Sequence, residues 1–373
     1  LNAASVNTAV TLDNNDGTNL NISGSLGVVG TTLSVQSCAD LYSVTFDNLT
    51  SIGGFPFNPT DGDLIIQANG KEVNSISFET LETVDGDISM DNAAANETTP
   101  TLSFPLLEQV DGLMLFDRAA GGAVSFPELT DVGGSITFTT NSVTLPAIAG
   151  MSSLSMTKLN SASVNAVTIT GNAEMTACII GNTPGTGFST PDGGDISISN
   201  NAKLQTLTLN ADVAGGIVTL NNNDGTNLAV SGSLGDVAEG LTIEDCASLA
   251  SVSFPSLERV GGDPENTPAG TLTIDENGSV LTSVSLPALV SVDGALTMNN
   301  TAAGDYVAPT LDFSDLARVD GTITIYHAAG GAVSFPDLTT VGGSILISFN
   351  NDANLTGMSS LTLDALSSAA VSS

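Results

Sequence analysis

The feature that most constrains this chain is that it repeats itself at two lengths. Residues 11–27 read TLDNNDGTNLNISGSLG and residues 219–235 read TLNNNDGTNLAVSGSLG, an offset of 208. The correspondence continues. SCAD at 37–40 matches DCAS at 245–248, and AAGGAVSFPELTDVGGSI at 119–136 matches AAGGAVSFPDLTTVGGSI at 328–345, one residue having been inserted near Gly304. Within each copy a shorter unit of the form Ser-Phe-Pro-x-Leu-x-x-Val-Gly-Gly recurs, as SFPLLEQVDG from Ser103, SFPELTDVGG from Ser125, SFPSLERVGG from Ser253 and SFPDLTTVGG from Ser334. SLPALVSVDG from Ser285 is a further instance, and looser copies begin at Thr45, Ser77 and Asp312. The Phe positions are 46, 78, 104 and 126, then 254, 286 (a Leu), 313 and 335. A period of 20 to 50 residues means stacked supersecondary units, because one unit alone buries too little apolar surface to fold.

Each unit has a direct physical reading. Gly-Gly or Asp-Gly is expected to supply positive-φ positions for a tight turn. The strand that follows alternates, as in Ile88 and Met90, Ile136 and Phe138, or Leu272 and Ile274, which puts the apolar residues on one face. A second inward strand of Val-Ser-Phe type ends at Pro, which cannot donate to a ladder. Between Met156 and Val230 the apolar pairs come closer together, which predicts narrower coils or several sides of a multi-sided β-helix. No long apolar stripe of helical period appears. The predicted fold is therefore all-β: a β-solenoid of stacked coils of about 22–32 residues, duplicated with a period of about 208. The expected organisation is a first copy over 1–208 and a truncated second copy over 209–373, in one continuous stack without a flexible linker.

The phrase SFPxLxxVxG-x-Leu-x-Ile-x-x-Asn resembles the receptor L-domain branch of leucine-rich solenoids, over roughly 33–156 and 241–363. That branch includes ligand-binding domains of growth-factor receptors and fungal cell-wall proteins. The resemblance implies a surface-exposed, right-handed solenoid. Receptor L domains are flanked by cysteine-rich modules, whereas this chain has three cysteines, and no GPI-type hydrophobic tail follows Ser373.

Charge narrows the functional classes. Six Lys+Arg against 40 Asp+Glu give a formal charge of −34. Six scattered cations cannot form the basic patch that a phosphate backbone or an anionic membrane surface requires. Like charge keeps long β surfaces apart in solution. No run of about 18 apolar residues predicts a membrane span. The chain begins at Leu1 rather than Met, so either a leader has been removed or a longer chain precedes it.

Chemistry-bearing residues are few. The single histidine, His327 in YHAAGG, corresponds to Arg118 in DRAAGG, and a catalytic base is not expected to alternate with arginine. A Ser-His-Asp site needs that histidine, and a zinc site needs clustered His and Cys. Carboxylate pairs for glycoside chemistry also call for a cleft with aromatic platforms, which 13 Phe in repeat positions and three Tyr do not supply. The chain is accordingly expected not to be an enzyme and to hold no cofactor. Asp13 and Asp16 in DNNDG, with Asp224 in NNNDG, are the weak candidates for calcium; the competing reading is a turn before a strand. Sequons for N-glycosylation stand at Asn21, Asn48, Asn96, Asn277, Asn299 and Asn354. Cys38 and Cys246 occupy equivalent repeat positions and Cys178 does not. Two readings stand: a disulfide between Cys178 and Cys246, or three small buried hydrophobes.

The middle residue of each apolar-x-apolar strand is Ser or Thr at Thr11, Ser34, Ser89, Thr137, Ser155, Thr168, Ser197, Thr208, Thr219, Thr242, Thr273, Thr297, Thr324 and Thr362. Asn21, Ile65, Leu115, Ala229 and Leu346 are the exceptions. Such a rank suits a flat binding face, ice included, or simply an exposed strand. Neither end reads as a polar cap. Residues 1–12, LNAASVNTAVTL, are a version of residues 159–169, LNSASVNAVTI, and residues 366–373, LSSAAVSS, are another. The sequence thus predicts an extracellular or cell-surface structural or adhesive solenoid that stacks end to end with itself into a filament. The alternative is a binding module for a glycan, a protein ligand or ice.

Overall fold

The computed structural model describes residues 1–15, 19–54, 62–70, 73–91, 100–139, 150–182, 187–262, 270–299, 309–327, 331–348 and 358–369. They fall into two compact units, Leu1–Asn182 and Thr183–Ser373. The division lies ahead of the boundary at residue 208 drawn from sequence likeness, because compactness follows coil packing rather than repeat identity. Among the described residues the regular structure is strand throughout, and none of it is helix. The pairings are parallel, as stacked coils of one chain require.

Each coil has three sides. In the first unit a wide sheet stacks Val10–Asp13, Leu33–Gln36, Leu64–Gln67, Ile88–Asp91, Met114–Asp117, Ile136–Thr139 and Val167–Thr170. A second side carries strands such as Leu41–Phe46, Ser75–Ser77 and Thr101–Ser103. A third carries two-residue strands such as Thr83–Val84, Gln109–Val110 and Asp131–Val132. The second unit repeats this plan: Ile196–Ser199, Ile217–Asn221, Gly240–Glu244, Thr271–Asp275, Leu296–Asn299, Ile323–Tyr326 and Ile345–Ser348 form its wide sheet. The closer apolar spacing after Met156 is therefore several sides of a coil: Val167–Thr170 and Ala177–Ile180 are wide and second strands of one turn.

The alternation read from sequence sets the core. Ile88, Met90, Ile136, Phe138, Leu272 and Leu296 are all at most 1% exposed. Phe46, Phe78, Phe104 and Phe126 stack down one corner with centroid separations of 5.9, 5.4 and 5.7 Å. Phe78, Phe104 and Phe126 sit just beyond second-side strands that end at Ser77, Ser103 and Ser125, whereas Phe46 is the last residue of its strand; Pro follows the ring at 105 and 127.

The glycine expectation needs correcting. Gly53 and Gly54 do take positive φ, at 86° and 73°. Gly133 and Gly134 do not belong to that set. Their constraint is close approach between coils: a Cβ on Gly134 would lie 2.6 Å from the Gly112 carbonyl carbon, and one on Gly133 would lie 2.2 Å from the Asp111 oxygen. Among the described residues a recurring positive-φ position lies elsewhere, directly after the wide strand. Asn14, Ser37, Ala68 and Arg118 occupy it in the first unit, and Asn200, Asn222, Asp245, Glu276 and His327 in the second, with φ between 51° and 57°.

Candidate functional site

One residue beyond that left-handed position the chain turns a side chain inward. Cys38, Asn69 and Asn172 hold this slot in the first unit, and Asn201, Asn223, Cys246 and Asn277 in the second, all at most 2% exposed. The asparagines form a ladder between coils. Asn69 Oδ1 accepts the Cys38 N–H at 3.1 Å while its Nδ2 donates to the Val35 carbonyl at 3.0 Å. Asn277 repeats this on Cys246 N–H (3.1 Å) and the Ile243 carbonyl (2.8 Å). Asn223 Oδ1 accepts from Asn201 N–H at 3.2 Å and its Nδ2 donates to Ile198 O at 2.7 Å. Turn groups that would be buried without partners are thereby satisfied. The Asn at the end of the Leu-x-Ile-x-x-Asn phrase was the sequence signal for this ladder, and only the fold gives it a role.

Several expected site residues find a structural use here. Asn277 is buried at 1% and spends its amide inside the ladder, so it is withdrawn from the glycosylation set: a glycan on Nδ2 would need the space the next coil fills. Asn21 and Asn48 are exposed, and Asn299 is half-buried on the outer face between Asp275 and Tyr326. Asn96 and Asn354 lie outside the described residues. Cys178 and Cys246 are free, fully buried thiols, which corrects the disulfide reading. Cys178 stands opposite Leu154 in the core of the first unit, and burial pushes its thiol up to about 12. The Cys246 thiol, within the second unit, points at the Glu244 carbonyl at 3.3 Å and is raised to about 11, chiefly by burial. The Cys38 thiol likewise points at the Gln36 carbonyl, at 3.2 Å, so these thiols replace an Asn of the ladder.

His327 and Arg118 are the same turn residue. Arg118 N–H donates to the Thr139 carbonyl at 3.2 Å and His327 N–H to that of Ser348 at 3.4 Å. The His327 ring is 9% exposed and stacks on Tyr326 with centroids 4.3 Å apart. Left-handed backbone there favours Asn, Asp and His, and Arg118 adopts the same φ of 51° as His327. Of the calcium candidates, Asp13 ends an exposed strand, Asp224 Oδ1 accepts the Ala247 N–H at 2.9 Å, and Asp16 lies outside the described residues. Among the described residues no group of three or more metal-ligating side chains converges.

A depression of about 320 Å³ in the second unit is lined by Asp212, Ser233, Gly235, Asp236, Ser256 and Glu258. Two of its carboxylates are occupied: Asp212 accepts the Gly187 N–H at 2.9 Å, and Asp236 pairs with Arg259 at 3.0 Å. The other two arginines serve the same stapling role. Arg118 spans Asp91 and Asp117, and Arg318 spans Asp293 and Asp320.

The outer surface of the wide sheet is the most regular feature available for recognition. In the second unit Ser197, Thr219, Thr242, Thr273, Thr297 and Thr324 stand directly opposite one another in successive strands, all half-buried. Adjacent strands in a sheet lie about 4.8 Å apart, so the hydroxyls form a row at that spacing. The row ends at Leu346, which is 54% exposed. In the first unit the row reads Thr11, Ser34, Ile65, Ser89, Leu115, Thr137 and Thr168, broken twice by apolar residues, with Ser34 only 5% exposed. The single rank expected from sequence divides between sides: Asn21, Ser155, Thr208, Ala229 and Thr362 lie on second-side strands, because every side alternates with period two.

Comparison with family models, with curated proteins and with solved structures returned no match.

Proposed function

We propose that this chain is an extracellular or cell-surface structural or adhesive solenoid of right-handed, L-domain-like coils, which associates with further copies of itself. What supports the reading is the stacking of parallel coils within each unit, in which every strand of the wide sheet pairs edge to edge with the next and the apolar positions join into one core. An acidic surface stapled by a few arginines suits a chain that must stay dispersed until it meets a matching edge. Electron microscopy and analytical ultracentrifugation of the purified chain over a concentration series test the reading. Oligomers or fibres that grow with concentration are expected; a single monomeric species throughout would overturn it.

A second reading is favoured by the unbroken Ser/Thr row of the second unit: a surface that binds a glycan or ice. Retention on a glycan array or thermal hysteresis, lost on Thr273→Lys, would support it. Secretion with a mass loss on enzymatic deglycosylation, reduced by replacing Asn21 and Asn48 together, would support the extracellular assignment.

A further inference from the structure

We propose that Asn69–Gly70 and Asn277–Gly278 are sites of spontaneous deamidation, and that the asparagine ladder gates the reaction. It is held off while the coils are closed and runs irreversibly when they open. These are the only Asn-Gly steps in the chain, and they occupy equivalent positions in the two copies of the large repeat. Both asparagines belong to the ladder, each in its own unit and each 1% exposed.

The fold itself demands this reactive pair. Asparagine is needed because one side chain must both accept from the neighbouring coil and donate to it: Asn277 Oδ1 accepts the Cys246 N–H at 3.1 Å and Nδ2 donates to the Ile243 carbonyl at 2.8 Å. Glycine is needed next because a Cβ at 278 would collide with the Ala247 carbonyl, and φ there is +74°. A Cβ at 70 would collide with the Ala39 carbonyl in the same way. Elsewhere in the described ladder the following residue carries a side chain, as in Asn172-Ala173, Asn201-Ala202 and Asn223-Asp224. That side chain crowds the backbone nitrogen, whereas glycine leaves it open to react.

The reaction needs an open coil. The Gly278 nitrogen, its proton lost to hydroxide, attacks the Asn277 side-chain carbonyl carbon. The new N–C bond closes a five-membered succinimide, the bond to Nδ2 breaks, and ammonia departs with a proton taken from water. A further water opens the ring at either carbonyl and leaves aspartate or isoaspartate at 277. In the closed coil both polar atoms of the amide are held, so its carbonyl carbon cannot swing onto the main chain. Water is shut out of a side chain only 1% exposed. At the first site the attacking group is occupied as well, since the Gly70 N–H donates to the Cys38 carbonyl at 2.9 Å. The product cannot return to the ladder. An aspartate sets a carboxylate oxygen against the Ile243 carbonyl where Nδ2 stood, two buried acceptors with no donor between them. Isoaspartate adds a methylene to the main chain and throws the coil out of line with its neighbour. The two steps therefore record permanently that a ladder has opened.

Peptide mapping by mass spectrometry tests this on the full chain held at neutral pH in heavy-oxygen water, which labels only product formed during the incubation. Conversion at 69 and 277 is expected to be at least about a hundredfold slower in the native chain than in the chain unfolded in urea. Rates within about twofold of each other overturn the gate. In urea too weak to unfold the chain, conversion at 277 is expected to rise in proportion to hydrogen exchange of the Cys246 N–H, which is freed when the ladder bond breaks. Conversion that stays flat while that exchange rises overturns the gate as well. Faster conversion at Asn201 or Asn223 than at either Asn-Gly step overturns the assignment of the sites. Asn277→Asp, the product made directly, is expected to lower the folded-to-unfolded ratio by about tenfold or more. A ratio equal to the parent's overturns the exclusion of the product from the ladder.

Discussion

Asn277 shows how much one side chain does in this fold. Its Oδ1 and Nδ2 serve a Cys246 N–H and an Ile243 carbonyl that would otherwise be buried without partners. Asn277→Ala is expected to cost about 2–4 kcal/mol, since a buried unsatisfied group costs about 1–3 kcal/mol and two are exposed to that fate. Urea unfolding checks the value, and a loss under about 0.5 kcal/mol would reject the ladder as a stabilising device. Asp275, one coil position away, has the opposite sign. Burial, followed in the same direction by the carboxylates of Glu244 and Asp245, raises it above the ordinary carboxylate value, against the Glu276 N–H and the Asn299 side chain. A raised folded pKa means the fold favours the neutral acid. That contribution is complete below the unfolded pKa and is lost as pH rises through the folded one. Asp275→Asn is therefore expected to gain stability relative to the parent between about pH 4 and about pH 7. Urea midpoints at the two pH values measure this, and a difference that does not change with pH would contradict it.

At the scale of the element, the question is what lets coils approach so closely. The turn glycines answer it at Gly134, whose missing side chain admits the Gly112 backbone: an added Cβ would lie 2.6 Å from the Gly112 carbon and the Leu113 nitrogen. Backbone cannot move aside as a flexible side chain can. Gly134→Ala is expected to destabilise by about 1–3 kcal/mol through overpacking. Gly193 is the contrast. It has φ of +73° and open space around its Cβ position, so Gly193→Ala is expected to cost about 1–2 kcal/mol for backbone strain alone. Thermal midpoints of both, with Gly134→Ser as the larger side chain, separate the causes: a graded series at 134 and a flat one at 193. The corner phenylalanines work at the same scale. Rings 5.4–5.9 Å apart repeat once per coil, so each coil both fills its own corner and forms the floor for the next.

For the whole molecule, charge is the dominant quantity. A formal −34 on 373 residues stores self-repulsion that salt relieves. Raising ionic strength from about 0.01 M to about 1 M shortens the screening length from about 30 Å to about 3 Å. The thermal midpoint is expected to rise by about 2–4 °C for each kcal/mol so recovered. The self-association proposed above should strengthen in the same series, because approaching copies repel each other at low salt. Calorimetry and sedimentation along one salt series measure both; a midpoint that falls with salt would mean that the arginine staples outweigh the repulsion.

Sequence alone determined the class of fold, because period-two alternation fixes which residues face inward and a recurring Phe-Pro-Leu-Val pattern fixes how often the chain turns. It carried Ile136, Phe138, Leu272 and Phe104 into the core correctly, and it carried the Asn of the repeat phrase without a role. Tertiary structure decided the rest. The side of the coil to which each Ser or Thr belongs depends on how many turns intervene, so Thr208 and Thr219, each the centre of an alternating strand, lie on different faces. The need for glycine at 134 comes from a neighbouring coil 22 residues earlier in the chain, at Gly112, and local sequence does not encode that distance. Asn277 reads as a sequon and Cys246 as half of a disulfide until burial is known, since the same amide and thiol serve surface or core according to what stacks upon them.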